Sequence, residues 1–218
     1  MMNKDSWLAI LKQYRAIAII RAPSLPVGLA MAQAAVRGGF RLIEITWASD
    51  RPVELISQLR QVLTPDCYVG TGTLFSRQSM QEAVVAGAQF CFSPHTDIEL
   101  IQLGQHLGVP IIPGALTPTE ITFAWQSGAS GVKVFPSQAL GGPAYIRHLQ
   151  NPLGHIPLIP TGGITLETGK VFLEAGAIAV GISSSLFPQS LIASQNWTAI
   201  QQRAQGFLAT LPIDSPKT

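Results

Sequence analysis

The chain has 218 residues, 47% of them hydrophobic, which is enough for one large core and short for two domains. Only 12% of residues are charged, against roughly 25% in soluble domains, and the formal charge is +2 with no run of Lys or Arg. That balance excludes a nucleic-acid-binding surface, and the low charge content points to area buried between copies of the chain.

Residues 6–14 read as a helix ahead of a first strand at 16–21. A punctuation mark then recurs. Gly38-Gly39 precedes a strand at 40–46, Gly87-Ala88 one at 89–93, Gly128-Ala129 one at 130–135, and Gly176-Ala177 one at 178–182. Glycine just past a helical stretch is a C-cap signal. Short apolar runs at 67–70, 109–113 and 156–160 bring the total to eight strands. The stretches between are helical in pattern. Residues 51–63 carry Val53, Ile56, Leu59 and Leu63 on one face, and 196–211 carry Trp197, Ile200, Ala204, Phe207 and Leu211.

Eight strands alternating with helices predict an α/β fold with parallel strands, a (β/α)8 TIM barrel with an extra N-terminal helix. An open doubly wound sheet is the alternative. The layout expected is a single domain, with the helix in 1–15, the barrel in 16–211 and a frayed tail in 212–218.

No apolar run approaches the ~20 residues of a membrane span. The opening Met1-Met2-Asn3-Lys4-Asp5-Ser6 lacks the apolar core of a secretory signal. Cys67 and Cys91 sit in strand-like runs and read as buried hydrophobes in a reducing cytosol, so a cytoplasmic location is expected. His95, His106, His148 and His155 show no metal-ligand spacing, so no metal site is expected.

Two charged residues stand inside apolar strands. In Gly131-Val132-Lys133-Val134-Phe135-Pro136, alternation places Lys133 on the face opposite Val132 and Val134. Burying an ammonium is expensive, so an interior lysine favours its neutral form, and a neutral amine attacks carbonyl carbon. The other reading is an edge-strand lysine that snorkels to water. In Ile43-Glu44-Ile45-Thr46 the acid is flanked by isoleucines that face away from it. Glu44 suits either a general base or a structural ion pair with Lys133.

Barrel active sites form at the C-terminal ends of the strands. Arg21, Glu44, Thr46, the Gly70-Thr71-Gly72-Thr73 run, Ser93-Pro94-His95, Lys133, Phe135, Thr161-Gly162-Gly163 and Ser183-Ser184-Ser185 all fall there. The last two occupy the loops after strands seven and eight, where barrels frequently bind phosphate and where glycines allow close backbone approach. Arg21 suits a carboxylate clamp or plain surface, and His95 gives no ground for a catalytic role.

These residues together resemble the 2-keto-3-deoxy-6-phosphogluconate (KDPG) / 4-hydroxy-2-oxoglutarate (KHG) aldolase family, class I Schiff-base enzymes. The landmarks are Ile43-Glu44-Ile45-Thr46, Gly70-Thr71-Gly72-Thr73, Gly87-Ala88-Gln89-Phe90, Ser93-Pro94, Ile112-Pro113-Gly114, Val132-Lys133-Val134-Phe135-Pro136 and Thr161-Gly162-Gly163-Ile164. They span about 16 to 208, nearly the whole chain. The resemblance implies that Lys133 forms the Schiff base and Glu44 shuttles the proton. It implies that Thr73 and Arg21 hold the pyruvate carboxylate, that Phe135 packs on substrate, and that Gly162, Gly163 and Ser184 hold the distal phosphate. It implies a small keto-acid substrate, no cofactor beyond the covalent lysine Schiff base, and a homotrimer.

The chain departs from the family pattern at Ala48, where many members carry an arginine that contacts the carboxylate; Arg51 lies three residues on. The segment from Phe135 to Pro143 also resembles the galactonate-type branch. Cleavage of a 2-keto-3-deoxy-6-phospho sugar acid, of 4-hydroxy-2-oxoglutarate, or of both is the leading expectation. The alternatives are a 2-keto-3-deoxy-6-phosphogalactonate aldolase and a non-catalytic phosphate-binding barrel. A phosphosugar isomerase or epimerase would need a base but no interior lysine.

Overall fold

A computed structural model describes residues 3–212. The frayed tail expected over 212–218 lies outside the described residues apart from Pro212. Helix α1 (Lys4–Tyr14) starts where the Asn3 side chain accepts from Ser6 N–H at 2.8 Å, and it ends at Arg15 in the left-handed region. Its Trp7 and Leu11, one turn apart, are fully buried.

From there strands and helices alternate. They run β1 (Ala16–Ile20), α2 (Leu25–Arg37), β2 (Leu42–Thr46), α3 (Pro52–Val62), β3 (Tyr68–Gly72), α4 (Arg77–Val85), β4 (Cys91–Phe92) and α5 (Ile98–Leu107). Two short strands, β5 (Ile111–Ile112) and β6 (Gly114–Ala115), come before α6 (Pro118–Gln126), β7 (Val132–Val134), α7 (Pro143–Leu153) and β8 (Leu158–Pro160). The chain continues through α8 (Gly169–Glu174), β9 (Val180–Ile182), α9 (Gln189–Ala193) and α10 (Trp197–Thr210). Ser76, Asp97 and Asn196 accept backbone N–H bonds at their helix starts, and Thr117 with Glu120 forms a capping box.

The architecture is α/β with all strands parallel. One sheet runs β5-β4-β3-β2-β1-β9 and the other β6-β7-β8. The strand expected at 109–113 is divided into β5 and β6 around Pro113, which has no N–H to give a ladder. Hydrogen bonds join the two sheets at both margins. Ser130 N–H donates to Ile111 O and Lys133 N–H to Pro113 O, each at 2.9 Å. On the other side Ile178 N–H donates to Leu158 O at 3.0 Å, and Thr161 and Gly181 form a parallel bridge.

Strand alternation separates the two larger of three apolar clusters among the described residues. Ile17, Ile19, Leu42, Phe90, Phe92, Ile112, Ile159 and Ala179 face the interior, with Trp7 and Leu11 of α1 packed among them. The opposite strand faces, with Ile43, Ile45, Val132, Val134 and Leu158, meet the helices in a larger cluster. α10 buries Ile200, Ala204 and Phe207 as its period predicts. α3 and its C-cap residue pack Ile56, Leu59 and Leu63 on the core as the period predicts, but Leu55 is buried beside them and Val53 is exposed. Gly28 on α2 makes room for Leu55, since a Cβ there would sit 2.6 Å from Leu55 Cδ2. Periodicity specifies an apolar stripe, whereas the partner helix decides which edge of it faces inward.

Candidate active site

The interior-facing positions change character along each strand. Ile17 and Ile19 lead to Arg21, Leu42 leads to Glu44 and Thr46, Ile159 leads to Thr161, and Ala179 leads to Gly181 and Ser183. Apolar residues therefore fill the N-terminal half, and polar ones collect at the C-terminal strand ends. A cavity of about 350 Å³ opens there. Arg21, Glu44, Thr73, Lys133, Phe135, Gly162, Gly163 and Ser184, eight positions from six different segments, all line it.

Lys133 is held on β7 between Gly114 of β6 and Ile159 of β8. It is only 5% exposed, so the snorkelling alternative does not describe it. Its Nζ stands over two rings, 5.0 Å from the Phe135 centroid and 5.9 Å from that of Phe92. Glu44, on β2 between Ile19 and Gly70, is 1% exposed. Burial pushes its carboxyl above the ordinary carboxylate range, and the Lys133 charge pulls it partly back. Glu44 Oε1 is sealed from solvent without a hydrogen-bond partner. A buried carboxyl oxygen left unsatisfied is costly as a packing element and is suited to a proton or hydroxyl brought by a ligand. The ion pairs among the described residues do not join Glu44 to Lys133 in direct contact, although the two charges still act on each other.

Arg21 sits just past β1 at the cavity mouth, exposed, and the same ion pairs leave it out. Its loop is clasped by the loop after β2. Ala22 N–H donates to Ser49 Oγ at 3.0 Å, Asp50 N–H donates to Ala22 O at 3.0 Å, and Leu25 N–H donates to Asp50 Oδ2 at 3.1 Å. Ser49 Oγ also lies 3.3 Å from Thr46 Oγ1, a cavity residue. Arg51 does not replace the arginine missing at Ala48. It caps α3 and pairs with Glu54 at 3.1 Å, outside the cavity.

Thr73 has φ +64°, an uncommon conformation for a β-branched residue, and it lines the site. Gly162 and Gly163 have φ +89° and +79°, which admit glycine readily. A Cβ on Gly162 would also lie 3.0 Å from the Phe135 ring, and one on Gly163 2.6 Å from Gln138 Cβ. The loop hydrogen bonds of the described residues give the N–H groups of Gly163 and Ser184 no carbonyl partner, so they are available to an anion, whereas the parallel bridge between Thr161 and Gly181 turns the Gly162 N–H toward Gly181 O. α8 starts six residues past Gly163, so any such site rests on loop N–H and hydroxyl groups and not on a helix start. Ser185 is used structurally, accepting from Leu166 N–H at 3.0 Å.

Phe75 was not foreseen. It lines the cavity, is 65% exposed, and stacks on His95 at 5.5 Å. A large aromatic in the polar loop after β3 was the available signal. His95 itself lies in a neighbouring groove. Among the described residues no group of three or more His, Cys, Asp or Glu side chains is placed to hold a metal ion.

Fold and site together define a parallel α/β protein with a buried amine and a buried carboxyl converging on one cavity at the strand ends. Comparison with known proteins sharpens that class. The chain belongs to the KDPG and KHG aldolase family, whose model matches residues 8–203. The 2-dehydro-3-deoxy-phosphogluconate aldolase of Dickeya dadantii is 32% identical over 206 residues, covering 94% of this chain and 96% of the relative. The KHG/KDPG aldolase of Escherichia coli K12 is 28% identical, covering 93% and 94%. Among solved structures, the KDPG aldolase of Legionella pneumophila superposes with a TM-score of 0.85 at 27% identity, covering 92% of this chain and 97% of that one. That structure holds pyruvate as a covalent carbinolamine intermediate.

Proposed function

We propose that this chain is a class I aldolase that cleaves a 4-hydroxy-2-keto acid, releasing pyruvate and an aldehyde. The observation that carries the reading is the convergence of Lys133 and Glu44, both buried, on one cavity. The Legionella relative, with pyruvate bound covalently, supports it. Lys133 Nζ adds to the C2 carbonyl, giving a carbinolamine that loses water to form an iminium. The C3–C4 electron pair then flows into that cation, making an enamine, while Glu44 takes the C4 hydroxyl proton and the aldehyde departs. A proton returns to C3, and water hydrolyses the imine to release pyruvate and the free amine.

Arg21 and Thr73 hold the keto-acid carboxylate, Phe135 packs on the substrate, and Gly162, Gly163 and Ser184 receive a distal phosphate. The unpaired loop N–H groups of Gly163 and Ser184 and the left-handed glycines support the last role. The substrates fitting this set are 2-keto-3-deoxy-6-phosphogluconate, giving glyceraldehyde 3-phosphate, and 4-hydroxy-2-oxoglutarate, giving glyoxylate. No cofactor beyond the lysine is required. A galactonate-type substrate is the second reading. The segment from Phe135 to Pro143 favours it, as does a 27% identical neighbour described as a native KDPGal structure, with a TM-score of 0.78.

The same proposal takes the two sheets as one closed (β/α)8 barrel in a single domain, with β5 and β6 sharing one strand position. The hydrogen bonds across both sheet margins support closure. It takes the protein as a cytoplasmic homotrimer. The charged fraction of 12% supports association, as does a 26% identical chain from a cage designed by fusing symmetric oligomeric domains.

The test is pyruvate release from a panel of phosphorylated and unphosphorylated 4-hydroxy-2-keto acids of both C4 configurations, with borohydride trapping and peptide mass mapping. Trapped pyruvate on Lys133 with turnover is the expected result. Binding without trapping or turnover would leave a non-catalytic phosphate-binding protein.

A further inference from the structure

A column of aromatic rings runs from the N-terminal helix to Lys133. Trp7 of α1 stacks on Phe90 with centroids 4.9 Å apart and planes at 29°. Phe90 meets Phe92 edge to face at 5.9 Å and 84°. Lys133 Nζ stands over the Phe92 ring, 5.9 Å from its centroid. All three rings are at most 1% exposed. β3 is shaped around the column, because a Cβ on Gly70 would fall 2.5 Å from Phe90 O and closer still to the ring. Trp7 Nε1 is buried without a hydrogen-bond partner, a penalty that Leu or Phe would avoid. The position therefore uses the breadth of the indole and not its N–H.

We infer that Trp7, Phe90 and Phe92 form a positioning column through which α1 sets the conformation in which Lys133 presents its amine. This rests on the Schiff-base reading of Lys133. A lysine side chain has several rotatable bonds, so packing must hold its tip where the carbonyl arrives. The face of Phe92 supplies both a surface and a weak attraction for the amine in its charged form. Phe92 in turn rests on Phe90, and Phe90 on Trp7. α1 is then part of the active site, although it docks at the opposite end of the strands. The competing account is ordinary core packing, under which losing a ring lowers stability but leaves turnover per folded molecule unchanged.

The experiment uses full-length Phe92→Leu, Trp7→Leu and Trp7→Phe, with Phe172→Leu as a control. Phe172 is fully buried in the helix-side core and away from the column. Folding is checked by near-UV circular dichroism. The single-turnover rate of borohydride-trappable pyruvate adduct is then measured with steady-state kcat and KM. Phe92→Leu should slow adduct formation about tenfold or more, with KM within about twofold, because reacting groups are sensitive to displacements of the order of 1 Å. Trp7→Leu should act in the same direction, Trp7→Phe should fall between Trp7→Leu and wild type because it keeps a stacking ring without the indole's breadth, and Phe172→Leu should lose stability alone. If Phe92→Leu does not fold, Phe92→Met takes its place. Wild-type adduct rates in the folded Phe92 and Trp7→Leu variants would overturn the column. A wild type that traps no pyruvate on Lys133 would instead overturn the Schiff-base reading.

Discussion

Gly72 gives up its side-chain volume to the carboxyl group of Glu44. A Cβ at position 72 would lie 2.5 Å from the Glu44 carboxyl carbon and inside the contact shell of Oε1. Gly72 pairs with Thr46 on the neighbouring strand, so the acid leans across β3 into space that only glycine leaves open. Gly72→Ala should therefore displace the carboxyl and cut kcat by about 10²-fold, the scale of a misplaced or lost general base. Steady-state kinetics beside thermal unfolding checks this. A stable, fully active Gly72→Ala enzyme would mean that the carboxyl position is not critical.

Lys133→Ala should abolish both cleavage and borohydride trapping of pyruvate while leaving the fold intact. Shortening this side chain removes the amine, and the surrounding strand positions stay apolar and packed. Pyruvate release and trapping in wild type and variant provide the measurement. Near-wild-type turnover in the variant is the outcome incompatible with the mechanism.

Glu44→Gln should still form the covalent adduct but turn over at least ~10²-fold more slowly. Mass spectrometry of borohydride-treated protein should locate the adduct on Lys133. Normal turnover would return Glu44 to a structural role.

The direction of the Glu44 shift sets a pH dependence. Its folded-state carboxyl titrates above the unfolded value because burial dominates the opposing Lys133 charge. The native state therefore holds this proton more tightly than the unfolded chain does. The group's contribution to stability is complete below the unfolded value and is lost as pH rises through the folded one. Glu44→Gln does not titrate, so its stability relative to wild type should improve over that window and then level off. Urea unfolding of both proteins from pH 4 to 8 tests the sign, and a constant difference would contradict it. For the same reason, the acid limb of kcat/KM should lie above the ordinary carboxylate range.

Ser184→Ala keeps the backbone N–H and removes only the hydroxyl, so if that hydroxyl also reaches the phosphate it should weaken phosphorylated substrates by ~1 kcal/mol or somewhat more, as for one hydrogen bond to a charged group. It should leave 4-hydroxy-2-oxoglutarate almost untouched, since that substrate carries no phosphate. Comparing kcat/KM on the two substrate types decides the matter, and equal losses would assign Ser184 to the loop instead of the ligand.

Much of the site was legible because strand alternation is local. The isoleucines beside Glu44 and the valines beside Lys133 state which way each charge points, without reference to anything distant. The Gly-Ala and Gly-Gly marks likewise announce helix ends before the strands that follow. The strand break at Pro113 was less clear, because a proline interrupts a ladder only where a neighbour would have accepted its N–H. The burial of Leu55 was hidden for a similar reason, since Gly28 reveals its purpose only once Leu55 lies against it.

By itself, then, the sequence determined the alternating α/β order, the interior placement of Lys133 and Glu44, and the glycine loop at 162–163. These depend on period and on backbone preference over a few residues. Tertiary structure alone decided that Arg51 turns away to Glu54 and leaves Arg21 at the mouth. It alone set Gly70 and Gly72 opposite Phe90 and Glu44, and it stacked Trp7 toward Lys133. Each of those contacts joins residues distant in the chain. Strand register and helix docking bring them together, and no local pattern encodes either.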